Sequence, residues 1–134
     1  EAMATLQDLY QSEADEEVRK QILQSFFLAG DSATLIELAR AEQDPEMRSE
    51  AIEGLGLIGN EEATEALHAL WSTAGDRQVK ESILEAFFLQ SNAPALIEIA
   101  RSEQDKELRR EALEYLSLID SDEAVEFLLQ ALGE

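Results

Sequence analysis

Two interleaved rows of helix-capping residues, each repeated about every thirty positions, constrain this chain more than any other feature. One row consists of four aspartates, each four residues before a basic side chain: Asp15, Asp44, Asp76 and Asp105, before Arg19, Arg48, Lys80 and Arg109. The other row keeps the same separations of 29, 32 and 29 residues: Asp31, Asn60, Asn92 and Ser121. Asp, Asn and Ser side chains accept hydrogen bonds from the free N–H groups at a helix start. Each period therefore predicts two helices.

The segments between the caps have helical periodicity. In residues 44–59, apolar side chains recur at steps of three and four residues, and Pro45 fits the first turn of a helix. We expect the second helix of each pair to begin after each aspartate of the first row. The first helices are expected to begin near Ala2 and after each residue of the second row. The sequence thus predicts an all-α fold of nine helices, about four and a half antiparallel pairs.

A longer period of 61 residues lies on top of the helix pairs. Phe26 and Phe27 return as Phe87 and Phe88, which suggests that two repeats were duplicated together. Gly56 takes the position of Phe27 in the intervening repeat. It precedes a longer first helix that carries Trp71, so we expect this small residue to make room for a large neighbour.

The run Glu-Met-Arg-Ser-Glu-Ala-Ile-Glu-Gly-Leu-Gly-Leu-Ile-Gly-Asn-Glu-Glu-Ala, which begins at Glu46, resembles the HEAT-like repeat of the phycobilisome-lyase type. Similar runs cover nearly all 134 residues, although Phe-Phe or Leu-Ser replaces Leu-Gly in other copies. The resemblance implies a right-handed α-solenoid whose second helices line the concave surface. It does not imply lyase activity, because most proteins with such repeats are scaffolds.

The charge of the chain narrows the class of partner. Thirty acidic against ten basic residues give a formal net charge of −20, which disfavours binding to nucleic acid phosphates. The basic residues of the first row are expected to pair with the aspartate four positions earlier in the same helix. No apolar run approaches the roughly 18 residues needed to span a membrane. Cysteine is absent, so redox chemistry does not distinguish a cytoplasmic from a periplasmic location.

Residues suited to catalysis or to cofactor binding are scarce. His68 is the only histidine, and without cysteine a zinc site of the usual kind cannot be assembled. Gly54, Gly56 and Gly59 lack the Gly-Lys-Ser/Thr ending of a phosphate loop and are typical of close helix packing. We therefore expect a protein without a cofactor or an enzymatic activity of its own.

Helix geometry predicts a binding surface on the second helices. Glutamates and leucines recur there on one face. Tyr115 stands at the position that Gly54 and Ala86 hold in the preceding repeats, and it is the aromatic side chain nearest to this face. The candidate residues are Leu28, Glu50, Glu53, Leu57, Glu81, Glu85, Leu89, Glu111, Glu114, Tyr115 and Leu118. A carboxylate row beside a leucine row suits a basic amphipathic helix or an extended basic peptide. The predicted function is thus a protein-interaction scaffold.

Several alternatives remain open. The glutamates can equally form a solvated face, and the leucines can complete the packing between repeats. A chromophore- or ligand-handling protein resembling phycobilin lyases, and a structural spacer, are the competing functions. Apolar residues near both ends also predict self-association: Leu6, Leu9, Leu128 and Leu132. We expect the 134 residues to be a single repeat array, cut from a longer array or multidomain protein.

Overall fold

A computed structural model of the chain describes residues 8–10 and 15–133. Residues 8–10 are helical, and eight further helices follow within residues 15–133. These are α1 (Glu16–Leu28), α2 (Ser32–Ala41), α3 (Pro45–Ile58), α4 (Glu61–Thr73), α5 (Arg77–Leu89), α6 (Ala93–Ser102), α7 (Lys106–Leu118) and α8 (Asp122–Gly133).

Every described helix start follows the capping residue that the sequence predicts. The Asp44 carboxylate accepts hydrogen bonds from the backbone N–H groups of Glu46 and Met47, and the Asn60 side chain accepts one from Ala63. Pro45 occupies the first turn of α3. The predicted helix start near Ala2 lies outside the described residues. Because these hydrogen bonds satisfy N–H groups that a helix leaves free, the caps fix where each helix begins.

The helices form two layers. The first helices of the pairs (α2, α4, α6 and α8) form one layer, and the second helices (α1, α3, α5 and α7) form the other. The most extensive contact in the fold joins α3 to α5, whereas the first helices of the same two repeats, α2 and α4, make a much smaller contact. Closer packing in the layer of second helices curves the stack, so this layer lies on the concave side there.

One repeating contact sets the distance between neighbouring second helices. The residue twelve positions after each capping aspartate meets the residue ten positions after the next one. A Cβ atom at Gly54 would lie 3.7 Å from Cβ of Phe27, and the rings of Phe88 and Tyr115 stack with their centroids 4.9 Å apart. A Cβ atom at Gly56 would lie 2.7 Å from Cα of Ala86. The pairs are thus large with small, small with small, and large with large.

The sequence predicted that Gly56 makes room for the long helix α4, but the atoms nearest to an added Cβ atom belong to α5. Its missing side chain admits the backbone of α5 at Ala86, and Trp71 instead lies beneath the Lys80 ammonium group. Gly59 likewise does not mediate close helix packing. It ends α3 with a φ of 65°, in the left-handed region that glycine adopts without strain.

Three basic residues of the first row pair with acidic side chains of the following repeat: Arg19, Arg48 and Lys80. Arg19 pairs with Glu42, and Lys80 Nζ lies 3.6 Å from Glu103 Oε2. Among the described residues, no ion pair joins Lys80 to Asp76. The predicted pairing within each helix is therefore wrong for Lys80. The Asp76 carboxylate caps its helix, while the long Lys80 side chain extends towards the next repeat.

Candidate functional site

The leucine row is open to solvent along the layer of second helices. Leu28, Leu57, Leu89 and Leu118 are 77%, 48%, 40% and 69% exposed. Each is the last helical residue, or the last but one, of α1, α3, α5 or α7. None of the four side chains is fully buried in the packing between repeats. A row of exposed leucines is apolar surface that a partner can cover.

The carboxylate row runs beside the leucines on α3, α5 and α7. Glu50, Glu53, Glu85 and Glu114 are exposed, while Glu81 and Glu111 are half-buried. Although its side chain is exposed, Glu53 has a raised pKa, first because the protein removes part of the water around its carboxyl group and then because of the charge of Glu85 and a hydrogen bond with it. Burial, then a hydrogen bond with Glu81 and the charges of Glu81 and Glu114, raises the pKa of Glu111. The glutamates therefore crowd one another across neighbouring helices.

Tyr115 is only partly available to a partner. Its half-buried ring stacks on Phe88, with 23° between the ring planes. Burial, followed by the charges of four surrounding glutamates, raises the pKa of its hydroxyl group. The contact between Tyr115 and Phe88, which joins α5 to α7, was not predicted from the sequence.

The part of this surface between α1 and α3 differs in polarity from the rest. A cavity of about 400 Å³ lies between α1 and α3, and its lining includes Gln21, Gln24 and Glu53. Lys20 also lines it, with Nζ 2.5 Å from Glu46 Oε1. The groove therefore has mixed polarity at α1, whereas a row of glutamates recurs on α3, α5 and α7. The sequence contains this change in the position of Gln24, but the cavity itself depends on how α1 and α3 pack.

Comparison with known families agrees with the paired helices. A family model described as HEAT repeats matches residues 4–87, more than half of the chain. The chain belongs to the HEAT repeat family. A second model, the PBS lyase HEAT-like repeat, matches residues 108–134. No curated protein matches the chain. HEAT repeats generally mediate protein–protein interaction, and their families are typically non-enzymatic scaffolds.

The HEAT array has little that resembles a reactive centre in its described part. The His68 ring is exposed, and its centroid lies 4.9 Å from that of Phe87. No group of three or more histidine or acidic side chains among the described residues is placed to hold a metal ion. Within residues 8–10 and 15–133, no helix has the length and apolar character required to cross a membrane.

On the last helix of the HEAT array, Leu132 is exposed as predicted, but Leu128 is not. Leu128 is half-buried and packs against the core, whereas Val125, Leu129 and Leu132 are exposed on α8. The predicted contact residue Leu6 lies outside the described residues. Self-association stays a prediction, and on α8 its apolar surface consists of Val125, Leu129 and Leu132 instead of Leu128.

Proposed function

We propose that this HEAT array binds a basic amphipathic helix or a basic extended peptide in a groove along α1, α3, α5 and α7. The observation that carries the proposal is the coincidence of four exposed leucines with a crowded row of glutamates on the same helices. The leucines supply apolar surface to bury, and the glutamates supply the charge that selects a cationic partner.

Crowding of the carboxylates favours a cationic partner over a neutral one. Glu53 and Glu85 lie close enough to raise the pKa of Glu53, and Glu111 is affected in the same way by Glu81. Lysine or arginine side chains placed between such carboxylates remove repulsion that the free protein carries. The gain on binding therefore includes relief of like-charge repulsion as well as the new ion pairs.

The match to the PBS lyase HEAT-like repeat is compatible with the alternative of chromophore handling. It covers residues 108–134, however, and describes a repeat unit rather than an active site. No described side-chain arrangement favours a chromophore over a peptide. The groove proposal is therefore the one that the exposed rows support.

Charge reversal tests the proposal with a fluorescent amphipathic peptide that carries lysine on one face and leucine on the other. Replacing Glu53, Glu85 and Glu114 together by lysine should weaken binding, followed by fluorescence anisotropy, by about tenfold or more. Circular dichroism should show an unchanged helical content, because surface substitutions usually cost little stability.

The matched control reverses the same number of charges on the first helices. Glu37, Glu65 and Glu98 are exposed on α2, α4 and α6. If this control weakens binding as much as the groove variant does, the acidity acts as a diffuse field and the groove proposal is wrong. A Leu57→Ser/Leu89→Ser variant should weaken binding while leaving its salt dependence nearly unchanged, since it removes apolar contact and no charge.

A further inference from the structure

Equivalent cations on α1 and α5 are enclosed in the same way. Each is four residues after its capping aspartate, lies over an aromatic ring, and pairs with a glutamate of the next repeat. The Arg19 guanidinium carbon is 4.7 Å from the centroid of the Tyr10 ring, and Arg19 pairs with Glu42. Lys80 Nζ is 4.9 Å from the centroid of the Trp71 ring and pairs with Glu103.

Arg48, the equivalent cation on α3, lacks both neighbours. Alanine holds each of the two positions: Ala39 stands in the register of Tyr10 and Trp71, and Ala74 in that of Glu42 and Glu103. The Arg48 side chain donates no hydrogen bond to any described residue, whereas Arg19 donates to Glu42 and Tyr10. The Nε atoms of both arginines are buried without a partner. Its one ion pair, with Asp76, joins the two groups at 3.8 Å, which is longer than a hydrogen bond.

A cavity of about 500 Å³ opens where the ring and the carboxylate are missing. Both alanines line it, together with the small or apolar residues Leu70 and Gly75. Its charged lining consists of Arg40, Arg48 and Asp76, an excess of cations in a chain of net charge −20. Asp76 caps α5 through the backbone N–H of Gln78, which holds its carboxylate at the helix start.

We propose that this cavity binds a carboxylate that carries an aromatic ring, replacing the two side chains that the flanking repeats supply. Arginine binds carboxylates through paired hydrogen bonds and stacks on aromatic rings, so Arg48 can hold both parts of such a ligand. Arg40 adds a second positive charge to the same cavity. The chemistry is shared by two sources, a free aryl carboxylate and the C-terminal aromatic residue of another chain.

Titration of the full chain followed by amide NMR tests this site. Phenylacetate and N-acetylphenylalanine represent the two sources, while phenylacetamide lacks the charge and acetate lacks the ring. At least one of the two aryl carboxylates should shift amides around Arg48, Ala39 and Gly75, with an affinity about tenfold or more above that of phenylacetamide and acetate. The tighter of the two identifies the source. Equal binding of phenylacetamide, or shifts that fall elsewhere on the array, overturns the proposal.

Two substitutions should abolish the shifts by different routes. Arg48→Gln removes the charge, while Ala74→Glu supplies a carboxylate at the position it holds in the flanking repeats. Gln104→Glu adds the same charge to the loop before α7 and should retain binding within about twofold, because it lies outside the cavity lining. If the Ala74→Glu variant is folded and still binds the aryl carboxylate, the proposed site is wrong. The groove variant with Glu53, Glu85 and Glu114 reversed should still bind, so failure of one proposal leaves the other distinguishable.

Discussion

Single residues on the second helices decide how closely neighbouring repeats approach. Gly56 and Ala86 allow the backbones of α3 and α5 to meet, whereas the stacked rings of Phe88 and Tyr115 separate α5 from α7. Interiors of proteins are close-packed, so an added atom at the tightest contact has to move a helix. The spacing along the groove is thus set by residue size at two positions in each repeat.

Gly56→Ala should destabilise the protein by about 1–3 kcal/mol in urea denaturation, and Gly56→Phe by more. The added Cβ atom would lie 2.7 Å from Cα of Ala86, and a backbone atom cannot rotate away. Gly75→Ala is the matched control, because no heavy atom lies within 4 Å of its added Cβ atom. An unchanged urea midpoint for Gly56→Ala would show that α3 and α5 do not pack this closely.

Glu53→Gln should raise the melting temperature at pH 7.5 by roughly 1 °C or more, since exposed charge interactions are worth a few tenths of a kcal/mol. The folded-state pKa of Glu53 is raised, so its ionised form costs stability above that pKa, and this cost disappears as the pH falls. The advantage of the variant should therefore vanish near pH 3.5. Glu37→Gln removes an equal charge on α2. An equal gain there would attribute the effect to net charge.

At the scale of the element, the sequence predicts helix starts well and contacts between helices less well. A capping side chain acts on N–H groups two or three residues away, so Asp44 and Asn60 are sufficient to place α3 and α4. The partner of Lys80 depends on where the next repeat lies. The sequence predicted Asp76, four residues earlier, whereas the ion pair is with Glu103. Gly56 was misassigned because its nearest neighbour, Ala86, lies on α5 and not on α4, the helix that follows Gly56 directly along the chain.

A double-mutant cycle distinguishes the two partners of Lys80. Combining Lys80→Ala with Glu103→Ala should give a coupling energy of about 0.5–1 kcal/mol in urea denaturation, since the two side chains are 23% and 13% exposed and form an ion pair. Combining Lys80→Ala with Asp76→Ala should be additive, because Asp76 acts as a cap. Coupling confined to Asp76 would restore the pairing within the helix.

At the scale of the whole molecule, the 61-residue period creates two kinds of repeat. Cations enclosed by an aromatic ring and a glutamate alternate with Arg48, which lacks both. Helix periodicity and the family resemblance were sufficient to predict the exposed leucine and glutamate rows. They were insufficient for the cavity beside Arg48, because it is defined by two side chains that are missing from neighbouring helices. The pattern Tyr10, Ala39, Trp71 could have indicated it.

We propose that a basic amphipathic helix or a basic extended peptide binds along the second helices. The most direct test of this proposal is amide NMR of the isotope-labelled chain during titration with the lysine–leucine peptide. We expect shifts on α3, α5 and α7 around Glu53, Leu57, Glu85 and Leu89, with α2, α4 and α6 nearly unchanged, since only the second helices carry both rows. Shifts centred on the first helices, or spread evenly over the surface, would contradict it.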